Sequence, residues 1–290
     1  MNRFISPLRY PGGKASLYPL ISGLLKTNGL EGRDYAEPFA GGCGLALALL
    51  FGGHVRSIHI NDIDWSIWAF WKSVLRHTEE LCERIHTTPI TIQEWGKQRE
   101  IHGKGHQKNP VELGFATLFL NRTNRSGIIK SAGPMGGFDQ SGPHKIDCRF
   151  PREKLIRRIE NIAQHRERIH LTREDAKDFI TDKRGRLPAS MFFYVDPPYF
   201  RRGPSLYTNF YKAEDHRKLA KVIGSQPHPW VVTYDDVPEV RELYRARRPK
   251  QFPLQYSLQT KRRATELLIK AKGLRLPRLG EHATRELWSV

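Results

Sequence analysis

Residues Phe193-Tyr194-Val195-Asp196-Pro197-Pro198-Tyr199 place a carboxylate at the end of an apolar run, then two prolines, then an aromatic ring. The prolines fix φ and stiffen the exit from a strand. A carboxylate and a proline carbonyl held there can accept hydrogen bonds from an exocyclic amino group, and the Tyr199 ring can stack on a planar base. A second arrangement is Pro38-Phe39-Ala40-Gly41-Gly42-Cys43-Gly44, followed by an acidic residue, Asp62, 18 positions after Gly44. Glycines let the backbone approach a ligand, and a carboxylate about 20 residues on can bond ribose hydroxyls. A dinucleotide site would need a third glycine where Leu47 stands. An adenosyl ligand without a pyrophosphate is therefore the better match. Tyr10-Pro11-Gly12-Gly13-Lys14 suits a loop that folds over a ligand and opens a helix.

These residues need elements to position them. Leu17, Leu20, Ile21, Leu24 and Leu25 predict a helix over 14–26. A short strand must precede the glycine turn, a helix must follow over 45–51, a strand over 55–60 and another helix over 65–75. That is the opening of a parallel α/β sheet. Helical patterns fill 79–86, 92–101 and 110–120. A long stretch over 121–150, rich in glycine, serine, asparagine and basic residues, reads as a functional or mobile loop. Strands return at 191–195, 230–234 and 266–269, with helices over 215–223 and 238–244 between them. Two pieces, 1–76 and 165–290, are expected to form one catalytic α/β domain around a helical and looped insert at 77–164. Trp65, Trp68 and Trp71, three apart, read as core.

Lys plus Arg number 48 against 30 Asp plus Glu, a formal charge of +18 in 290 residues. Such a surplus favours polyanionic partners, nucleic acid first. Hydrophobic residues at 39% exclude wholesale disorder. No apolar run approaches the ~20 residues of a membrane helix, and Pro7, Arg9 and Pro11 break any leader-like segment at the start. Three distant cysteines, Cys43, Cys82 and Cys148, argue against a disulfide framework and for a reducing cytoplasm. His102 and His106 have metal-like spacing, but neighbouring glycines and the want of a third ligand point to no metal.

Four motifs occur in order: Pro-Gly-Gly-Lys at 11–14, Glu-Pro-Phe-Ala-Gly-Gly at 37–42, Asn-Asp at 61–62 and Asp-Pro-Pro-Tyr at 196–199. With Leu120-Asn121-Arg122 and the segment Thr260 to Leu268, they resemble the DNA adenine methylase family, the alpha-group, D12 class N6-adenine-specific DNA methyltransferases. The likeness runs over nearly the whole chain. It implies a Rossmann-like, S-adenosylmethionine-dependent methyltransferase sheet with a mostly helical DNA-recognition insert. By position, Tyr10, Lys14, Glu37, Phe39, Ala40, Gly41, Asp62 and Asp196 fall at the methyl-donor site. Asp196, Pro197, Pro198 and Tyr199 match the catalytic tetrapeptide.

The implied reaction moves a methyl group to the exocyclic amine of an adenine flipped out of duplex DNA. Arg122, Asn124, Arg125 and Lys130 in the long loop, with Arg9 beside the donor loop, are the candidate DNA contacts. Lys145, Arg149 and Arg152 lie beside them, and a second basic group runs from Arg245, Arg247, Arg248 and Lys250 to Lys261, Arg262 and Arg263. The best-known relatives carry a DNA-wedging aromatic a few positions after Asn-Arg. Here 121–130 reads Asn-Arg-Thr-Asn-Arg-Ser-Gly-Ile-Ile-Lys, without one, so a GATC target is not implied. An RNA substrate would keep the chemistry, but no familiar RNA-binding module is present. A non-catalytic DNA-binding descendant would not need Lys14, Asp62 or an intact Asp-Pro-Pro-Tyr. The expected enzyme is cytoplasmic, a monomer or weak dimer. A cognate restriction enzyme or defence-system partner is compatible with it.

Overall fold

Strand Met191–Val195 is buried along its whole length, as befits a central parallel strand covered on both faces. In the computed structural model, Phe192 and Tyr194 enter one hydrophobic cluster, while Met191, Phe193 and Val195 enter a second on the opposite face. This is the period-two alternation of a strand read on both sides. The structure describes residues 5–9, 13–182, 184–201, 211–255 and 263–277.

The strands are β1 (Asp34–Glu37), β2 (Ile58–Asn61), β3 (Ile169–Thr172), β4 (Met191–Val195), β5 (Trp230–Asp235), β6 (Lys250–Gln255) and β7 (Arg263–Lys270). They form one seven-stranded sheet in the order β3-β2-β1-β4-β5-β7-β6. The first five are parallel. β7 runs antiparallel to β5, and β6 antiparallel to β7. The chain is thus an α/β protein on a mixed sheet, with the sequence order reversing between β1 and β4.

Helices α1 (Tyr18–Thr27), α2 (Gly44–Phe51), α3 (Trp65–Arg76), α4 (Thr78–Thr87), α5 (Ile92–Lys104), α6 (Pro110–Thr123) and α7 (Arg152–Ala163) all contribute to the first cluster. Helices α8 (Ala176–Thr181), α9 (Ala213–Gly224) and α10 (Pro238–Leu243) contribute to the second. Helices α4 to α7 therefore share a core with the sheet's own helices. α6 presses on α3 at Gly114, where a Cβ would lie 2.7 Å from the Ala69 carbonyl oxygen.

The structure refines several expected elements. The helix expected over 14–26 is a 3-10 turn, Lys14–Leu17, followed by α1. Pro19 has no N–H to donate to Ala15, so regular α-helical bonding begins only after it. The strand expected over 55–60 is shifted to Ile58–Asn61. Of the three tryptophans, Trp71 is fully buried, but Trp65 is 39% exposed, with the Arg173 guanidinium 3.8 Å over its ring. The charge-rich α7, the six-residue α8 and the strand β6 were not anticipated. β6 contains Pro253 and lies at the sheet edge, where a missing donor is tolerated. Among the described residues no helix is long and apolar enough to cross a membrane.

Candidate active site

In open α/β sheets, ligands bind beyond the carboxyl ends of the strands where the strand order reverses. Here that place is the β1/β4 switch point. β1 delivers Glu37 to it, β2 delivers Asn61 and Asp62, and β4 delivers Asp196.

The glycine turn after β1 is held by its neighbours. The Ala40 N–H donates to the Asn61 carbonyl at 2.9 Å, and the Gly41 N–H donates to Asp62 Oδ2 at 2.9 Å. The Trp71 indole N–H donates to the Gly41 carbonyl at 2.9 Å. Gly41 has φ +45° and Cys43 φ +52°. The left-handed region is free for glycine and costly for cysteine, which marks an over-determined turn. Asp62 Oδ1 accepts the Asp64 N–H at 3.0 Å, so each oxygen holds one backbone donor and keeps a second lone pair. Phe39 is half-buried, edge-on to Tyr211 with ring centroids 5.7 Å apart. Tyr10 lies outside the described residues.

Sequence reasoning missed Asn61 as the clip of this site. Its amide donates to the carbonyls of Pro38 and Glu174, each at 3.0 Å, and its oxygen accepts from the Glu174 N–H at 2.9 Å and the Thr172 hydroxyl at 2.8 Å. One buried side chain ties together the exits of β1, β2 and β3.

Asp196 sits just past β4. Its Oδ1 lies 3.0 Å from Lys14 Nζ and accepts from the Thr233 hydroxyl at 2.9 Å. That hydroxyl has spent its proton, so Tyr194 donates to it at 2.8 Å. Both of these bonds use Oδ1, and neither uses Oδ2. The side chain of Asp196 keeps 24% of its surface exposed, against 4% for Lys14. Asp196 is the partner that faces outward. Tyr199 is buried, and its hydroxyl donates to Glu266 at 2.7 Å. The Phe200 N–H donates to Asp235 at 2.9 Å, pinning the turn that holds Pro197, Pro198 and Tyr199.

The carboxylates titrate high. Burial pushes Glu37 up to about 8, against the lowering pull of the Tyr35 hydroxyl that donates to it at 2.8 Å. Burial pushes Asp62 up to about 7. Asp196 is raised to about 6, chiefly by burial and against the Lys14 ammonium. A raised carboxyl holds its proton in the native state after the unfolded chain has lost its own. Its stabilising contribution is present below the unfolded value and is lost as pH rises through the folded one. Glu37→Gln should therefore gain stability over wild type as pH rises from about 5 to about 8, by up to about 1.4 kcal/mol per pH unit. Denaturant midpoints across that range check this. Parallel pH profiles for the two proteins would contradict it.

The family model for D12 class N6 adenine-specific DNA methyltransferases matches residues 10–258. The chain belongs to this family. It is accordingly an enzyme, an adenine-specific DNA methyltransferase, and its substrate is DNA. A search of the curated proteins gives no match. In this D12 class methyltransferase Lys14 lies 3.0 Å from Asp196 Oδ1 and 3.4 Å from Glu266 Oε1.

The methyltransferase's expected DNA contacts divide into two groups. Arg125 and Lys130 are exposed. Arg122 and Asn124 are instead turned inward. Arg122 is 7% exposed and its Nε donates to the Pro7 carbonyl at 2.7 Å. Burial and the neighbouring Arg158 guanidinium push it down to about 9. Asn124 is 1% exposed. It accepts from the Trp95 indole N–H at 2.7 Å and donates to the carbonyls of Ile128 and Ile129 at 2.8 and 3.0 Å. These bonds shape the loop. Arg9 is half-buried, and its backbone N–H and carbonyl both pair with the Asn121 amide, at 2.7 and 2.8 Å. Arg152 donates into the carbonyls at the end of α4 and beyond it. The loop's exposed aromatic is Phe138, 65% exposed and edge-on to Trp95. Lys261 and Arg262 lie outside the described residues. Among the described residues no cluster of three or more His, Cys, Asp or Glu side chains is placed to hold a metal.

Proposed function

We propose that this enzyme transfers a methyl group from S-adenosylmethionine to N6 of an adenine flipped out of duplex DNA. One observation carries the reading. A carboxylate at the end of a buried strand, braced by Lys14 and Thr233 on one oxygen, offers its other oxygen beside the aromatic of a proline-stiffened turn. The cleft also fits the donor. Glu37, Asp62 and Asp196 stand at or just past the ends of three neighbouring strands, β1, β2 and β4, so their polar groups converge on one end of the sheet. The donor's sulfonium supplies an electrophilic methyl group. Phe39, Ala40, Gly41 and Asp62, with Tyr10 and Lys14, would hold it.

Flipping costs a few kcal/mol of stacking and pairing. The Tyr199 ring replaces part of that stacking. The N6 lone pair is delocalised into the ring and is a poor nucleophile. Hydrogen bonds from N6–H to Asp196 Oδ2 and the Pro197 carbonyl reduce that delocalisation and aim the nitrogen, and such positioning supplies several kcal/mol. Pro198 keeps the turn from relaxing. Lys14 favours the ionised form of Asp196, the form that accepts. Asp196 takes the hydrogen bond without acting as a strong base.

Residues 77–164 would serve recognition and the remaining two segments catalysis, in a cytoplasmic monomer or weak dimer, with or without a restriction partner. Exposed Arg125 and Lys130 are the proposed phosphate contacts, with Lys145 and Arg149 beside them and Arg9 at the edge of the donor loop. Changing Arg125 or Lys130 to Gln should each reduce the log–log salt slope of duplex binding by about 0.9. Arg122→Met should leave the slope unchanged and lower stability by about 2 kcal/mol, because its guanidinium serves the Pro7 carbonyl. Binding titrations at several salt concentrations, with denaturation curves, separate the two. A slope that falls for Arg122→Met and holds for the other two would reverse the assignment. The reading as a whole is tested by calorimetry with S-adenosylmethionine and by labelled-methyl transfer into DNA and RNA. Donor binding with transfer to DNA supports it. Transfer to RNA alone, or no donor binding, refutes it.

A further inference from the structure

Glu266 stands in the apolar run of β7, followed by Leu267, Leu268 and Ile269, and is 1% exposed. A buried carboxylate in such a strand is costly unless it is paired. In register it lies opposite Asp235 of β5 and Phe252 of β6, which brings it to the carboxyl end of the parallel strands. Its Oε1 accepts from the Tyr199 hydroxyl at 2.7 Å and lies 3.4 Å from Lys14 Nζ. Lys14 in turn lies 3.4 Å from that hydroxyl and 3.0 Å from Asp196 Oδ1. One carboxylate thus holds the two side chains that flank the acceptor oxygen.

We propose that Glu266 is a positioning residue for methyl transfer: it fixes the Tyr199 ring and the Lys14 ammonium, and through Lys14 the Asp196 carboxylate. This rests on the methyl-transfer reading above. The hydrogen bond to Glu266 anchors the far end of the Tyr199 ring and so fixes χ1, the torsion that swings the ring through the site. Without the tether the stacking surface loses its fixed position. Without the negative charge the pull of Asp196 on the Lys14 ammonium is no longer balanced by Glu266. A displacement of about 1 Å in a reacting pair can cost about a hundredfold in rate. The contribution of Glu266 therefore falls on turnover, with ground-state binding largely spared.

The test uses Glu266→Ala, Glu266→Gln, Tyr199→Phe and the Glu266→Ala/Tyr199→Phe double variant of the full chain. Glu266→Ala is expected to lower kcat about a hundredfold or more, with KM for DNA and the donor Kd within about threefold of wild type. Glu266→Gln, which keeps an acceptor for the hydroxyl, should recover about tenfold of that loss. The double variant should be much better than the product of the two single effects predicts, since the Tyr199–Glu266 bond is shared by both changes. The Tyr199 hydroxyl proton, identified by its loss in Tyr199→Phe, should resist solvent exchange in wild type and lose that protection in Glu266→Ala. This last readout needs no substrate. If wild type failed to methylate DNA, the reading above would fall, and the exchange measurement would still decide whether Glu266 holds Tyr199. Should Glu266→Ala not fold, the Glu266→Gln and Tyr199→Phe pair carries the same comparison. A kcat within about threefold of wild type for Glu266→Ala, fully multiplicative effects, or an unchanged hydroxyl proton would each overturn the proposal.

Discussion

Replacing Asp196 with alanine is expected to lower methyl transfer about a thousandfold or more, while binding of DNA and donor stays within a few-fold. The loss is large because Asp196 presents the acceptor oxygen itself. The retention of binding follows from the packing around it. Lys14 keeps a counter-charge in Glu266, 3.4 Å away, so the change leaves no isolated buried ammonium. Thr233 keeps its bond to Tyr194. The glycine turn hangs on Asn61, Asp62 and Trp71, none of which touches Asp196. Asp196→Asn should be nearly as damaged, because half of its amide donates where N6–H also donates. Single-turnover transfer, donor calorimetry and duplex-binding titrations measure the three quantities separately. A variant with wild-type turnover, or one that loses all three together, would contradict the assignment.

The second large effect is expected at Lys14. Lys14→Met leaves the carboxylates of Asp196 and Glu266 buried beside one another without the ammonium that now joins them. Removing one partner of a buried ion pair costs about 3–5 kcal/mol, unless the orphaned group takes up a proton. Here Asp196, already raised to about 6 by burial, is the group positioned to take one, because Lys14 is what holds it down. The sign follows. Asp196 acts as a carboxylate, so turnover falls as pH drops through its pKa, and removing Lys14 moves that acid limb to higher pH. Lys14→Met should therefore be about a hundredfold slow near neutral pH and regain part of the loss on the alkaline side. Rate profiles between pH 5 and 9 and a denaturation curve check both halves, on the scale of about 1.4 kcal/mol per pKa unit. An unmoved acid limb with wild-type stability would show that Lys14 is not the counter-charge of Asp196.

Much of this site was legible in the chain. The apolar run before Asp196 and its two prolines announce a strand end with a stiff exit, and the structure puts β4 at the centre of the sheet. The glycine turn with Asp62 beyond it announces a strand–turn–helix, and β1 and α2 supply it. What stayed hidden depends on long-range contact. Glu266 is one charged residue just before an apolar run, and nothing local says that Tyr199 and Lys14 will meet it. Asn61 precedes the residue that motif reasoning singles out, yet its four bonds reach segments distant in sequence. Arg122 and Asn124 sit in a basic, polar stretch that reads as solvent-facing. Their inward turn follows from the carbonyls of Pro7, Ile128 and Ile129 and the Trp95 indole, which need partners. β6 escaped because Pro253 argues against a strand unless the edge position is known.

The most direct test of the central claim is a product analysis. The purified enzyme is incubated with S-adenosylmethionine and DNA from a methylation-free bacterial strain, beside Asp196→Ala, and the DNA is digested to nucleosides. The account predicts N6-methyladenine from wild type, formation slowed about a thousandfold or more in the variant, and no methylated cytosine from either. Methylated cytosine in place of N6-methyladenine, or equal product from both proteins, would contradict it.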